Sequence, residues 1–154
     1  NDCFNRKEYF VRHAIKRQTA MKIPSIKMSV AIHASPTELF VALVETKKVI
    51  KWSGQKGKVE PNVGGKFEFF DGWVKGNVLA YEVGKTLAYT WLPVDWPEGI
   101  KPSIVRYKFT ATKKGTRVTM THSGFPSRKE MLGHKAGWTE HFFDPLRSYF
   151  NEKQ

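Results

Sequence analysis

Cysteine is nearly missing from this chain. Cys3 is the only one in 154 residues, so no disulfide can form within the chain and the stapled framework of a small secreted domain is excluded. No Asn-x-Ser/Thr sequon occurs. No apolar run approaches the roughly 20 residues that a bilayer span needs, and the basic and apolar segments of a signal peptide are absent. Together these absences make a reducing, cytoplasmic location the expectation. Also missing are HExxH, paired CxxC, the Walker loop, GxGxxG and GxSxG, which removes the common zinc, nucleotide and serine-nucleophile signatures. His134 and His141 share one helical face but stand about 10.5 Å apart along a helix axis, too far for a common metal ion. Cys3 has no evident base beside it. Catalytic residues, metal and cofactor are therefore all expected to be lacking.

Acidic residues are scarce as well. The 14 Asp and Glu stand against 26 Lys and Arg, for a formal charge of +12. Such an excess raises encounter rates with polyanions and favours solubility. The charges are scattered, however, and no nucleic-acid motif accompanies them, so a solvated basic surface is preferred to a nucleic-acid site. Residues 1–22 are the exception. They carry Arg6, Lys7, Arg12, Lys16, Arg17 and Lys22, with Phe4, Val11 and Ile15 at helical spacing, the pattern of a basic amphipathic helix. This N-terminal extension reads as a packed extra helix, as a stretch ahead of a start at Met21, or as a membrane-surface or partner-binding segment. The domain itself is taken as residues 23–154.

Aromatic residues are plentiful: 11 Phe, 5 Tyr and 5 Trp. Each buries on the order of 150–250 Å², and at this length one domain should remove about 68–70% of the extended chain's surface from water. Flat bulky rings can fill that core or line a cavity within it.

From Ile26 the pattern has period two: Ile26, Met28, Val30 and Ile32 share one strand face. Ser35-Pro36-Thr37-Glu38 then starts a helix, with Ser35 as N-cap, Pro36 in the first turn and Glu38 closing a capping box. A second short helix is expected over residues 47–52. Residues 54–65 read as loop with at most a short strand, followed by a strand at 66–70 and a hairpin turn at Asp71-Gly72. Strands at about 74–83 and 86–92 meet at Gly84-Lys85, and residues 93–102 form a Pro-rich loop carrying Trp96. Val105, Tyr107, Phe109 and Ala111 alternate with polar residues. After a turn at Lys113-Lys114-Gly115, Val118 and Met120 do the same. In the last segment Met131, Trp138, Phe142, Leu146 and Tyr149 form one helical stripe, and Pro145 predicts a kink or a cap-and-restart at Asp144-Pro145.

The apolar face of such a sheet must be covered, and the C-terminal helix is the only long element left. One helix is about 10–12 Å across, too slender to fill a strongly bent sheet alone. Aromatic rings or a pocket must take up the remainder. The fold class is therefore α+β: a curved antiparallel sheet of about six strands around a long C-terminal helix, in the order β-α-α-β-β-β-β-β-α.

At this point the chain resembles the activator of heat-shock protein 90 ATPase homologue group of the START-like (SRPBCC, helix-grip) superfamily. The residues carrying the resemblance run from Ser35-Pro36 and Phe40 through Trp52, Val63-Gly64-Gly65-Lys66-Phe67-Glu68-Phe69, Gly72, Gly76, Leu87 and Tyr89-Thr90-Trp91. They continue with the run from Gly115 to Pro126 and end with Gly137-Trp138 and Leu146. The resemblance implies a helix-grip fold. It fixes a biochemical role less well, because the superfamily includes lipid carriers, hormone receptors and aromatase/cyclase-like enzymes.

Alternation and helical spacing nominate a ligand cavity lined by Trp52, Phe69, Tyr89, Trp91, Tyr107, Phe109, His122, Trp138 and Phe142; the alternative for each is plain core. His122 continues the Val118 and Met120 face, so its imidazole should point inward, able to bond a ligand or act as a base, or simply to be a satisfied core group. Glu68 should face solvent. The leading expectation is a module that binds a small hydrophobic or aromatic molecule. A co-chaperone that stimulates the heat-shock protein 90 ATPase, with a chaperone as partner, is the alternative implied by the resemblance. A cyclase- or hydrolase-like enzyme built on His122 is a further one.

Overall fold

The computed structural model describes residues 22–152. The basic helix expected within residues 1–22 lies, except for Lys22, outside the described residues. Strand β1 (Ile26–Ile32) leads into α1 (Pro36–Val44) and α2 (Thr46–Ser53), which are followed by β2 (Lys58–Val59), β3 (Lys66–Phe69), β4 (Val74–Glu82), β5 (Thr86–Pro93), β6 (Ser103–Thr112) and β7 (Gly115–Ser123). The chain ends in α3 (Arg128–Gly137), a π-helical turn (Trp138–Phe143) and α4 (Asp144–Glu152). The seven strands form one antiparallel sheet in the order β1-β7-β6-β5-β4-β3-β2. The expected α+β class and helix-grip element order are present. The strand beyond the expected six is β2, whose two residues are too few to display alternation.

Period two explains the inner face. One row of paired positions crosses five strands as Val78, Tyr89, Val105, His122 and Ile26, and every member is buried. Glu68, one residue out of phase with Phe67 and Phe69, is exposed as expected. In β4 the register shifts between Val78 and Ala80, a bulge that turns Leu79 out to solvent. Gly76 sits where β4 passes very close to β5: a Cβ there would lie 1.8 Å from the Thr90 carbonyl oxygen.

Local chemistry sets the helix starts. The Ser35 Oγ accepts the Glu38 N–H at 3.2 Å, and its hydroxyl donates to the Glu38 carboxylate at 3.3 Å. Ser127 repeats the device, accepting the Glu130 N–H at 3.1 Å. Helices α1 and α2 are locked together by the Trp52 Nε1–H, which donates to the Ala42 carbonyl at 2.7 Å inside the core.

The last helix departs from the expected break at Pro145. Residues 138–143 widen into a π-turn, with the Asp144 N–H donating to the Thr139 carbonyl five residues back. The wider turn accommodates a proline ring that would otherwise press on the carbonyl of His141, and α4 follows without a gap. The extra residue in the turn also re-phases the apolar stripe. Phe142 and Phe143 both point inward, and Phe150 is buried with Leu146 while Tyr149 is only half-buried.

Two glycines separate close approach from open space. Gly76→Ala should destabilise the protein by roughly 1–3 kcal/mol, because sheet backbone must move. Gly133→Ala, on α3 with nothing within 4 Å of its missing Cβ, should add about 0.5–1 kcal/mol. Urea denaturation of both variants checks this; equal effects would contradict the packing described.

Candidate functional site: an aromatic cleft beside the C-terminal helix

The middle of the grip is filled by rings. Phe67 stacks on Tyr89 at 3.7 Å between centroids and 10° between planes. From the helix, Phe142 meets Trp52 at 5.0 Å and Tyr107 at 5.9 Å, and Trp138 meets Trp91 at 5.2 Å. Helix rings thus touch sheet rings directly. The Tyr89 and Tyr107 hydroxyls hydrogen-bond each other in this interior, and burial pushes both phenols well above their ordinary pKa.

The open space lies to one side. A cleft of about 900 Å³ runs between the helix, the end of α2 and the β3–β4 turn. Trp91, Trp138 and Phe142 form its floor, Phe70 and Trp73 one wall, and Gly133, Ala136 and Gly137 the small-residue wall of the helix. Of the nine residues nominated from sequence, Trp91, Trp138 and Phe142 therefore line the cleft. Trp52, Phe69, Tyr89, Tyr107, Phe109 and His122 are buried in the core and do not line it. Phe70, Trp73, Glu130, His134 and Glu140 are among the lining residues that sequence reasoning missed as site residues. The Ser127-x-x-Glu130 capping box was a usable signal for Glu130 and His134, since it phases the helix and places His134 one turn after Glu130.

The β3–β4 turn holds Phe70 in an uncommon conformation. Phe70, Asp71 and Gly72 have φ of 54°, 56° and 86°. For a bulky residue such as Phe70 the left-handed region costs about 1–2 kcal/mol. Asp71 offsets this by tying the turn to the loop after α2: its carboxylate accepts the Lys56 N–H at 2.7 Å and its own N–H donates to the Lys56 carbonyl at 3.0 Å. The left-handed stretch starts one residue before the Asp71-Gly72 pair that marks the turn in the sequence.

Beneath the floor runs a directed hydrogen-bond chain. Trp138 Nε1–H can only donate, and it donates to His122 Nδ1 at 3.0 Å. The His122 proton therefore sits on Nε2 and is given to Ser103 Oγ at 2.7 Å. The Ser103 hydroxyl donates onward to the Trp91 carbonyl at 3.1 Å. A second chain starts at the same residue: Trp91 Nε1–H donates to His134 Nε2 at 3.1 Å, and His134 Nδ1–H donates to the Glu130 carbonyl at 2.8 Å. The Glu130 carboxylate in turn accepts the Trp96 Nε1–H at 3.1 Å, drawing the loop between β5 and β6 against the helix.

His122 is fully buried and has both ring nitrogens engaged. A second proton would point at the donor-only Trp138 N–H. Burial first, and the nearby His134 second, lower its pKa to about 2. Such an imidazole orients its neighbours. It has no lone pair left to take a proton from a substrate. Among the described residues no cluster of His, Cys, Asp and Glu is arranged to hold a metal ion, and no helix is long and apolar enough to cross a membrane.

A sheet gripping one long helix, with an aromatic cleft along the helix flank, defines a START-like helix-grip protein. The family described as Activator of Hsp90 ATPase homolog 1-like protein matches residues 33–151, and the chain belongs to that family. "Activator of 90 kDa heat shock protein ATPase homolog 1" of Homo sapiens is 26% identical over 136 residues, covering 87% of this chain and 40% of that protein. The chain thus spans less than half the length of that curated relative. A Mesorhizobium loti protein of known structure is 31% identical, with a TM-score of 0.73 over 85% of this chain and 99% of that one. An HSP90 activator from Plasmodium falciparum is 27% identical, with a TM-score of 0.73 over 82% of this chain and 96% of that one.

The His122 chain predicts an acid-side loss of stability. The unfolded imidazole titrates near 6.5 and the folded one near 2, so between these values the unfolded state binds one more proton. This contribution is fully present above about pH 6.5 and falls by up to about 1.4 kcal/mol per pH unit on acidification. Denaturation curves at several pH values should show a shallower decline for His122→Gln than for the unmodified protein. Parallel declines would contradict the assignment.

Proposed function

We propose that this protein is a cytoplasmic carrier or receptor that holds a small apolar or aromatic molecule in the cleft between its C-terminal helix and the β3–β4 turn. The observation that carries this reading is the cleft itself. Its volume of about 900 Å³ is within the range of small-molecule sites, and its apolar lining with a few convergent polar groups is typical of them. The remaining nominated residues lie in the core. Phe69 and Tyr107 support the floor from there, and Trp52 braces Phe142 against α2. Phe109 packs on Phe40 and Tyr107, Tyr89 bonds the Tyr107 hydroxyl, and His122 bonds Trp138 and Ser103. The lone Cys3 supports the reducing compartment.

A second reading is favoured by one specific finding: the match to the Plasmodium falciparum HSP90 activator extends over 96% of that chain. In this reading the domain docks on the chaperone and stimulates its ATPase, and a bound ligand in the cleft would be incidental.

Two measurements separate these readings. Aromatic probes of naphthalene size should raise the melting temperature and shift the indole resonances of Trp73, Trp91 and Trp138. Gly133→Phe, which places a ring in the cleft, should abolish both effects in a protein that still folds. Absence of any shift with the unmodified protein overturns the carrier reading. A pull-down with heat-shock protein 90, together with ATPase rates with and without this protein, addresses the other: no capture and no change in rate eliminates it.

A further inference from the structure

We infer that the ligand of the cleft is an organic cation, an ammonium or guanidinium group carried on an aromatic or branched apolar skeleton. This deepens the carrier reading and rests on it. The observation is a local reversal of charge. Lys and Arg make up 26 of 154 residues, about one in six, yet among the described residues neither lines the cleft, whereas Glu130 and Glu140 do. A basic protein that keeps Lys and Arg out of this apolar recess and places two carboxylates there presents a surface that attracts acids less than its exterior would suggest and favours bases.

The ring geometry points the same way. The face of an aromatic ring carries the negative end of its quadrupole, and indole is the best of the three for a cation. Here the rings stand at angles to one another. Trp73 meets Trp91 edge-on at 6.2 Å and 78°, Trp91 meets Trp138 at 5.2 Å and 37°, and Phe70 meets Trp73 at 6.3 Å and 63°. The ring planes that border the cleft are therefore set at different angles to one another, a disposition shared with the cages that hold quaternary ammonium groups. The left-handed backbone at Phe70 and Asp71 brings the outermost of these rings to the mouth.

The carboxylates have distinct positions. Glu130 accepts the Trp96 N–H at Oε2, the same oxygen lies 3.6 Å from His134 Nδ1, and its side chain is 41% exposed. One indole donor does not exhaust a carboxylate with about four acceptor sites. Glu140 stands at the rim on the π-turn, 74% exposed and 3.9 Å from His141 Nε2, where it acts on an approaching ion at longer range. A ligand with its ring on Trp91 and Trp138 would set its charged group against Glu130. Lysine or arginine on a peptide could supply the same chemistry, but the cleft is bounded on three sides, which favours a compact molecule over a chain that must continue past it.

The experiment uses three probes of one shape at about pH 8, above the ordinary histidine range: 1-naphthylmethylammonium, the neutral 1-naphthylmethanol and the anionic 1-naphthoate. Each is titrated by chemical-shift perturbation of the indole N–H resonances. The ammonium probe should bind about tenfold tighter than the alcohol, the carboxylate weakest, and added salt should narrow the gap. Glu130→Gln combined with Glu140→Gln should reduce the preference for ammonium over alcohol severalfold. Equal affinity for ammonium and alcohol, a preference for the carboxylate, or an ammonium preference untouched by the double variant overturns the cation assignment while the carrier reading stands. Binding by none of the three overturns both.

Discussion

The structure depends on one geometric constraint: a bent antiparallel sheet exposes more apolar surface on its inner side than a single helix can cover. Every large feature answers it. Rings on β3, β5 and β6 rise from the sheet, rings on the C-terminal helix descend to meet them, and α1 and α2 close one end with Trp52 against Phe142. Since the helix settles over the middle of the sheet, the uncovered remainder collects along one flank, beside β3 and β4. The cleft is the residue of a coverage problem, and its aromatic lining is the same material as the core.

A core this rich in indole and imidazole carries polar atoms that must be satisfied. They are satisfied by each other. Trp138, His122, Ser103 and Trp91 form one directed series, and Trp91 passes on to His134 and Glu130. Among the described residues no buried side-chain nitrogen or oxygen lacks a partner. Trp91 takes part in both series, one through its carbonyl and one through its ring, and so links β5, β6, β7 and α3. A neutral histidine with a defined tautomer is worth more here than an apolar residue of similar size, because it accepts from one side and donates on the other. The cost is the sensitivity to acid that comes with a buried imidazole.

Much of the fold could be read from the chain. Alternation in β6 and β7 is nearly perfect because those strands have one dry face and one wet face, and the Ser35 capping box announced α1 within a residue. The inward His122 followed from the same arithmetic. What escaped had a physical reason in each case. Strand β2 is two residues long, shorter than a period-two signal. The π-turn breaks the 3.6-residue count on which stripe reading relies, so Phe143 and Phe150 were not placed on the inner face while Tyr149 was. The cleft was anticipated beneath the helix because the inward rings were legible and their tight mutual stacking was not. Its actual wall depends on Phe70 and Trp73, which reach it through a left-handed turn that no side-chain pattern encodes.

The gathering of indoles has an optical consequence. Trp91 lies within 5.2 Å of Trp138 and 6.2 Å of Trp73, close enough for their electronic transitions to couple and give a chiral signal in the near ultraviolet that isolated indoles lack. That signal belongs to the relative pose of helix, sheet and turn, and it vanishes when fixed side-chain packing is lost even while secondary structure persists. The protein therefore carries a built-in spectroscopic gauge of how its helix sits on its sheet, without any label attached.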